Sequence, residues 1–441
     1  MNKIDRILDK CVRSGAAMAE VYNLSQKKTS ITVRDGKVEM INKATPGGTA
    51  IRYFTAEKSS FAHTTDNSDA AVDELIAKLV NLAKKTAEEE KVTLPNPGSD
   101  PGNLDIYSTA FADNPTETKI EYLIDLEQRA MKYDSSIKLS NGMDYTETIS
   151  SVNIANTNGV SKNYDSTLYT VAIKVAAVKN NEMFPGEEEY SARYFDDLPT
   201  PDELVEKVAG MAARLVGGTP VDPGDYEIIF TPNVAGTILY GIAYAIKGND
   251  YLKGISFLAG KEGDQFADSR LTVYDNAIMP RGIFTRPFDD EGSPSANIAV
   301  IENGIFKTAL YDTQTAAKAG KKNTASSSRE YYSKFPDIWP SNLYIAAGTD
   351  KADDIIASCK KGIIVESVQG WGLNSITGQY SAGINGTLVR NGQRIKPVAN
   401  VTLAASTDDL FKGIVAIGDD LTFYRDINMP TIMIKKMKVG A

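Results

Sequence analysis

The stretch TSITVRDGKVEMI (residues 29–41) alternates apolar and polar side chains on both sides of the pair Asp35-Gly36. Alternation with a period of two is typical of a half-buried strand, and an Asp-Gly pair between two such strands predicts a tight antiparallel hairpin. The segment GTAIRYFTAEKSSFAHT (48–64) predicts a second hairpin soon after it. The N-terminal part of the chain is therefore expected to form antiparallel sheet.

Single amphipathic helices are predicted between the hairpins. Three segments carry apolar residues at helical spacing, at 68–87, 116–133 and 200–218. The last of them begins with Thr200, which together with Glu203 predicts a capping box around Pro201 at the first helical position. Because hairpins alternate with single helices, the pattern favours an α+β fold with antiparallel sheet over a doubly wound parallel sheet.

The composition of the chain changes near residue 223, where strand-like runs become frequent. Asn-Gly pairs at 303–304 and 391–392 separate such runs and predict further hairpins. Repeated Pro and Gly in LPNPGSDPG (94–102) break regular structure. We therefore expect an N-terminal α+β subdomain at 1–93, a linker or long loop at 94–115, a second α+β subdomain at 116–222 and a strand-rich C-terminal domain at 223–441.

The overall composition limits the classes of function. The chain has 441 residues and a net charge of −9, which fits two or three folded domains and weighs against nucleic acid as the main ligand. Its first residues lack the apolar run of a signal peptide or membrane span, so we expect a cytoplasmic protein without a membrane partner. The two cysteines, Cys11 and Cys359, are expected to be buried reduced thiols.

Histidine occurs once, at His63. A Ser-His-Asp triad would have to use that residue, and a zinc site with several histidines is excluded. His63 lies in a predicted strand, where we expect an ordinary surface or half-buried histidine. Carboxylates cluster in three turns, at 187–189, 419–420 and 289–291. We expect the first two clusters to be solvated, whereas Asp289, Asp290 and Glu291 are candidates for general acid/base chemistry or a hard-cation site.

Several motifs, taken in order, resemble those of the TldD/PmbA family, known as modulators of DNA gyrase and as TldD/TldE metallopeptidases. The matching stretches are VRDGKVE (33–39), ANTNG (155–159), FDDEGSPSANIAVIENGIFKTALYD (288–312), NSITGQYSAGINGTLVRNGQRIKPV (374–398) and MPTIMI (429–434). Each piece alone is compatible with ordinary turn chemistry, but their combination is specific. The resemblance runs over nearly the whole chain.

In the TldD branch of that family, the helix after the strand equivalent to DYEIIFTP carries a His-Glu pair and a second His four positions after the Glu. These residues and a cysteine near the C-terminus hold a catalytic zinc. An ungapped count places the three helix positions at Tyr240, Gly241 and Ala245, and no cysteine follows Cys359. The sequence therefore resembles the PmbA/TldE branch, which implies that this chain holds no cofactor and that zinc belongs to a TldD-type partner.

The resemblance also implies a heterodimer with that partner, enclosing a chamber in which extended or unfolded peptides are cut. This chain, itself non-catalytic, would form part of the chamber wall, and a peptide bound as an added strand would be held through its backbone. Arg329, Tyr331, Asn374 and Thr377 are candidates for groups that face the peptide, with hydrogen bonding inside loops as the alternative. A homodimer of the isolated chain stays open.

Two further functions stay open at this point. One is a self-sufficient hydrolase with an atypical carboxylate site at Asp289, Asp290 and Glu291. The other is a non-enzymatic protein that binds and modulates DNA gyrase, since an acidic chain can contact protein but is disfavoured on DNA. Because the helix at 235–247 carries no ligands, we expect its residues, including Tyr240 and Ile242, to be packed.

Overall fold

The computed structural model describes residues 3–56, 58–87 and 92–440. Within these ranges, seven strands precede residue 200: β1 (Met18–Arg34), β2 (Lys37–Ala44), β3 (Gly47–Phe54), β4 (Ser59–Thr64), β5 (Ile137–Asn156), β6 (Ser161–Lys179) and β7 (Glu182–Ala192). They form one antiparallel sheet in the order β4-β3-β1-β5-β6-β7, and β2 pairs with the end of β1. Strands from both predicted α+β subdomains thus share one sheet. The domain boundaries at residues 93, 115 and 222 stay predictions.

Four helices cover one face of this sheet: α1 (Lys3–Arg13), α2 (Asp69–Ala83), α3 (Thr116–Lys132) and α4 (Pro201–Arg214). The side chains of β1 alternate between the two faces of the sheet. Val21 packs with the apolar stripes of α1 and α2, and Ile31 packs with α3 and α4. Tyr22 points the other way, into a cluster with Phe288 of the C-terminal part. The sheet therefore has helices on one face and the C-terminal domain on the other, although α4 also contacts that domain through the Arg214–Glu366 ion pair.

The C-terminal part contains the strands β8 (Gly224–Phe230), β9 (Val273–Asn276), β10 (Asn297–Glu302), β11 (Ile305–Phe306), β12 (Ser327–Ser328), β13 (Asp337–Ile338), β14 (Leu343–Ile345), β15 (Lys361–Leu373), β16 (Tyr380–Arg390), β17 (Gln393–Ala405), β18 (Ile414–Ile417), β19 (Ile427–Asn428) and β20 (Ile432–Gly440). Strands β17-β16-β15-β8-β20 close into a barrel because β17 also pairs with β20. A second sheet has the order β11-β10-β9-β14-β19.

Short helices surround this barrel: α5 (Gly236–Ala245), α6 (Gly248–Leu252), α7 (Thr313–Ala319), α8 (Ala352–Ser358) and α9 (Thr407–Phe411). Strand β8 contributes to two apolar clusters with its opposite faces. Phe230 packs in the cluster that contains Ile242 of α5, and Ile229 packs with Ile355 of α8. Helix α5 is thus fixed to the barrel by its apolar side. No helix among the described residues is long and apolar enough to cross a membrane.

The α+β class and the predicted turns are confirmed. Asp35 and Gly36 both have positive φ, at 53° and 68°, as a type I′ hairpin turn requires. The capping box at Thr200 is present, and both cysteines are buried and unpaired. The expected packing of the 235–247 helix is confirmed for Ile242, which is fully buried, but it is wrong for Tyr240, which is 38% exposed. Seven of the ten α5 residues are buried, and Tyr240 lies with Tyr244, one turn later, on the narrow stripe that stays uncovered.

Candidate functional site

The uncovered face of α5 carries two tyrosines one turn apart, Tyr240 and Tyr244. The Tyr240 phenol lies near enough to the Asp426 carboxylate for that group to raise its pKa, and the Tyr244 ring lies edge-on to Trp339, with 4.9 Å between centroids. Arg425, which precedes Asp426 in the chain, lines one nearby cavity, and Trp339 lines another. We call the two tyrosines and these two cavities the α5 cleft.

The Tyr240 hydroxyl keeps its proton at neutral pH. Burial, together with the charge and hydrogen bonding of Asp426, raises the pKa of Tyr240 to about 12. Burial also raises the pKa of Asp426, against the lowering effect of hydrogen bonds and of Arg425. The phenol therefore stays a neutral donor. It can orient a carboxylate or a backbone carbonyl, but it cannot serve as a base at neutral pH.

The larger cavity has a volume of about 410 Å³ and lies between α4, β7 and residues 420–428. We call it the Arg425 cavity. Arg425 forms an ion pair with Glu188 of β7, and the Lys207 ammonium lies 4.5 Å from the centre of the Tyr424 ring. Burial lowers the pKa of Arg425. Cations, amides and rings of this kind bind and orient a polar ligand.

The smaller cavity has a volume of about 250 Å³ and lies on the face of the N-terminal sheet that meets the C-terminal domain. Its walls come from β1, β5 and β6 and from the loop segments 284–286, 328–331 and 339–341. We call it the Arg193 cavity, after a buried arginine in its lining. Arg286 and Arg329 line it as well, so three arginine residues contribute to the lining of one small space.

The three helix positions that the resemblance matches to zinc ligands carry none of the usual zinc-ligand side chains in this chain. Tyr240 has a phenol whose pKa is raised to about 12, and Gly241 and Ala245 carry no donor group. A Cβ added at Gly241 would lie 2.5 Å from the carbonyl oxygen of Leu373 and 2.6 Å from its Cβ. The end of β15 therefore occupies the space that a glutamate would need. Among the described residues, no group of three or more His, Cys, Asp or Glu side chains is arranged to hold a metal ion.

The carboxylates at 289–291 are buried, not solvated. Asp289 accepts hydrogen bonds from the backbone N–H groups of Glu291, Ser293 and Ser327, at 2.9–3.1 Å. Asp290 accepts one from the Arg329 backbone N–H at 2.6 Å. These carboxylates thus hold the turn and its neighbouring loop in place.

Arginines neutralise most of this charge. Arg52 of β3 bridges Glu20 of β1 and Glu291, at 2.8 Å to the latter, and Arg329 also pairs with Glu20. Arg286 lies 3.2 Å from the Asp290 carboxylate. The network links the N-terminal sheet to the C-terminal domain through buried ion pairs. Such pairs contribute little net stability, but removing one partner is costly.

The pKa values of two of these acids move in opposite directions. Burial and the neighbouring Glu291 carboxylate raise the pKa of Asp289 to about 7, although Arg286 and backbone hydrogen bonds oppose this. Burial alone would raise the pKa of Glu291, but Arg52 and the hydrogen bonds from Thr313 outweigh it, so that this pKa is lowered. One acid is therefore held ionised by its cation, and the other is close to protonation at neutral pH.

The four residues predicted to face a peptide are divided between two places. Arg329 and Tyr331 line the Arg193 cavity, and the guanidinium of Arg329 is also bound to Glu20. Asn374 and Thr377 lie in the turn between β15 and β16, where the Asn374 carboxamide oxygen accepts from the Thr377 N–H at 2.9 Å. Their role toward a peptide stays a prediction. His63 is an exposed residue of β4.

Sequence reasoning missed Arg193, Arg425 and Trp339. Each is a single residue outside any motif, and each acquires its place through a fold contact between distant segments. Tyr244 could have been found, because Tyr240 and Tyr244 are four residues apart in an otherwise apolar helix. That spacing places two polar-tipped rings on one face.

Comparison with known proteins places the chain in a family. Models of the PmbA/TldA metallopeptidases match in succession, with domain 1 at 19–83, the central domain at 110–216 and the C-terminal domain at 223–441. The metalloprotease PmbA homolog of Haemophilus influenzae is 25% identical over 427 residues, which cover 96% of this chain and 92% of that protein.

Solved structures share the fold over the full length. TldE from Thermococcus kodakarensis superposes with a TM-score of 0.92 at 20% identity and covers 100% of both chains. A Bacteroides thetaiotaomicron protein, proposed to be a modulator of DNA gyrase, superposes with a TM-score of 0.90 at 23% identity, over 100% of this chain and 98% of that one. With domain models matched from residue 19 to residue 441, this chain belongs to the PmbA/TldD metallopeptidase family.

Proposed function

We propose that this chain is the PmbA/TldE-type subunit of a cytoplasmic two-subunit metallopeptidase. In this proposal the chain has no zinc site and no catalytic role of its own. A TldD-type partner supplies the zinc, and the two subunits enclose a chamber in which extended or unfolded peptides are cleaved. The α5 cleft forms part of the wall of that chamber.

The contact between Gly241 and Leu373 carries this proposal. In the TldD branch a glutamate of the metal-binding helix stands at the position of Gly241. Here a Cβ alone would approach the Leu373 carbonyl oxygen to 2.5 Å, which is about 1 Å closer than an ordinary contact. Restoring the ligand residues would therefore require the end of β15 to move. The helix is built as a packed element with an exposed tyrosine face.

The α5 cleft has the properties expected of a wall that binds peptides without cleaving them. Tyr240 and Tyr244 combine apolar rings with hydroxyl groups, and such side chains bind extended chains without demanding a particular sequence. The Arg425 cavity adds a half-buried cation, which is paired with Glu188. A permanent partner would bury roughly 2,000 Å² or more of total surface, as obligate pairs do.

The test is to mix the chain with the TldD-type subunit of the same organism and to follow co-elution by size-exclusion chromatography. Cleavage of an unfolded peptide is then measured for the mixture with wild-type chain, with Tyr240→Ala plus Tyr244→Ala, and with Tyr107→Ala as a control. Tyr107 is 47% exposed and lies outside the cleft. We expect co-elution in all cases, and a KM raised several-fold only in the double variant. Failure to co-elute would contradict the proposal.

The carboxylate-site hydrolase is less well supported, because Asp289, Asp290 and Glu291 are engaged by donors of the protein itself. Modulation of DNA gyrase stays an alternative, since one neighbour in fold has been proposed to have that role. A pull-down with the tagged chain from its own cells distinguishes the peptidase subunit from the gyrase modulator. Recovery of the TldD-type subunit supports the peptidase, and recovery of gyrase without it supports the modulator.

A further inference from the structure

Arg193 is a buried cation without an acidic partner among the described residues. It is 7% exposed, and its guanidinium donates only to the backbone carbonyls of Gly282, Thr167 and Thr285, at 2.9–3.0 Å. Two of its five N–H groups remain without an acceptor among the described residues. Burial lowers the pKa of Arg193 to about 10, so it still carries its charge at neutral pH.

The other buried arginines of this region differ in this respect. Arg52 and Arg329 pair with Glu20, and Arg286 pairs with Asp290. Buried charges are expected to be paired, because an isolated ion loses its hydration without compensation. The positive charge of Arg193 is therefore the one in this group that an external anion could neutralise.

The Arg193 cavity offers further donors beside this charge. The Tyr164 hydroxyl has no hydrogen-bond partner among the described residues, and burial together with the Asp290 carboxylate raises the pKa of Tyr164 to about 12, so the hydroxyl stays protonated. Arg286, which is 9% exposed, has a buried Nε without a partner. Of the acids that line the cavity, Asp290 is bound by Arg286, and Glu330 lies at the exposed rim.

Apolar groups complete the lining. Leu24 and Val152 of the N-terminal sheet form one wall, and the Phe284 ring, which is 49% exposed, lies where the cavity reaches solvent. Trp339 contributes to the lining and contacts Tyr244 of α5. A ligand suited to this space has one carboxylate and one apolar side chain, and it can extend from the cavity toward α5.

We propose that the Arg193 cavity binds the C-terminal carboxylate of a peptide, with Arg193 and Tyr164 as its donors and the apolar wall against the last side chain. The peptide identity of the ligand rests on the proposed function. The cavity would then fix one end of an extended chain that lies along the α5 cleft. A free carboxylic acid of similar size shares this chemistry, so the test must separate the two sources.

The experiment uses the full chain alone and measures binding by isothermal titration calorimetry. The probes are a pentapeptide ending in leucine with a free carboxylate, the same peptide as its C-terminal amide, and N-acetyl-leucine. We expect the free acid to bind at least about tenfold more tightly than the amide, since a lost hydrogen bond to a charged group has about that effect. Equal binding of acid and amide, or no binding of either, would overturn the proposal.

Variants identify the donors. Tyr164→Phe keeps the ring that packs edge-on against Phe288 and should remove most of the preference for the acid. Tyr251→Phe is the matched control, because Tyr251 is half-buried and lines none of the described cavities. Arg193→Met should abolish the preference, and Tyr164→Phe keeps the test decisive if that variant does not fold. An unchanged preference in Tyr164→Phe would contradict the role given to its hydroxyl.

The same titrations separate this inference from the proposed function. Binding of N-acetyl-leucine without binding of the peptide acid would assign the cavity to small carboxylic acids and overturn the peptide proposal for it. The titrations contain no partner subunit. If the preference for the acid is absent, co-elution and cleavage with a TldD-type subunit still test the subunit role. A failed reconstitution, in turn, leaves the acid-to-amide ratio measurable.

Discussion

Replacing Gly241 by alanine adds one methyl group at the tightest contact of α5. The new Cβ would lie 2.5 Å from the Leu373 carbonyl oxygen and 2.6 Å from both Cβ and Cγ of Leu373. Overpacking of this kind costs about 1–3 kcal/mol, while the gain in helix propensity from Gly to Ala is about 1 kcal/mol. Because Leu373 ends a barrel strand and its backbone is held there, we expect the cost to lie in the upper part of that range, about 2–3 kcal/mol, and the net loss to be about 1–2 kcal/mol.

The assay is thermal denaturation at a fixed scan rate. For a domain of about 200 residues, each kcal/mol shifts the midpoint by about 2–4 °C, so Gly241→Ala should melt roughly 2–8 °C below the wild type. Gly102→Ala is the control, since a Cβ there would meet no atom within 4 Å, and it should leave the midpoint nearly unchanged. A Gly241→Ala protein that melts at or above the wild-type midpoint would refute the close contact between α5 and β15.

Three other predictions concern packing, charge and metal content. Ile242→Ala removes a fully buried side chain and should cost about 2–5 kcal/mol, read as a lower thermal midpoint; an unchanged midpoint would mean that α5 is not packed. Arg52→Met leaves Glu20 and Glu291 short of a cation and should cost about 3–5 kcal/mol at pH 7. In the wild type the pKa of Glu291 is lowered, because Arg52 and hydrogen bonds outweigh the opposing effect of burial. The stability lost in Arg52→Met should therefore shrink as the pH falls below about 4, where this glutamate is protonated in the unfolded chain. A loss of stability that does not vary between pH 7 and pH 3.5 would contradict the pairing. Elemental analysis of the gently purified chain should show no stoichiometric zinc, and one zinc per chain would contradict the ligand argument at Gly241.

Local chemistry was readable from the sequence, and pairing between distant segments was not. The turn at Asp35-Gly36 and the capping box at Thr200 depend on neighbouring residues, so their residue types predict them. The pairing of β1 with β5 joins residues more than 100 positions apart. No local pattern encodes such a partner, which is why the single sheet across both N-terminal segments was not foreseen.

The carboxylates at 289–291 illustrate the same limit at the site. Their Gly- and Ser-rich surroundings suit either a solvated turn or a reactive cluster, and the sequence made them candidates without showing that they are buried. The charge of Glu291 is compensated by Arg52, which donates to it at 2.8 Å and is 239 residues away in the sequence. No local pattern predicts that partner. Tyr240 shows the opposite case, because the apolar composition of α5 concealed that one face of the helix stays uncovered.

The most direct test of the central claim is a cleavage assay on an unfolded peptide with three samples: this chain alone, the TldD-type subunit alone and the two together. Each is measured with and without a zinc chelator. The proposal predicts no cleavage by this chain alone, and strong cleavage by the mixture that the chelator abolishes and added zinc restores. Chelator-resistant cleavage by this chain alone, or a TldD-type subunit that is fully active without binding it, would contradict the account.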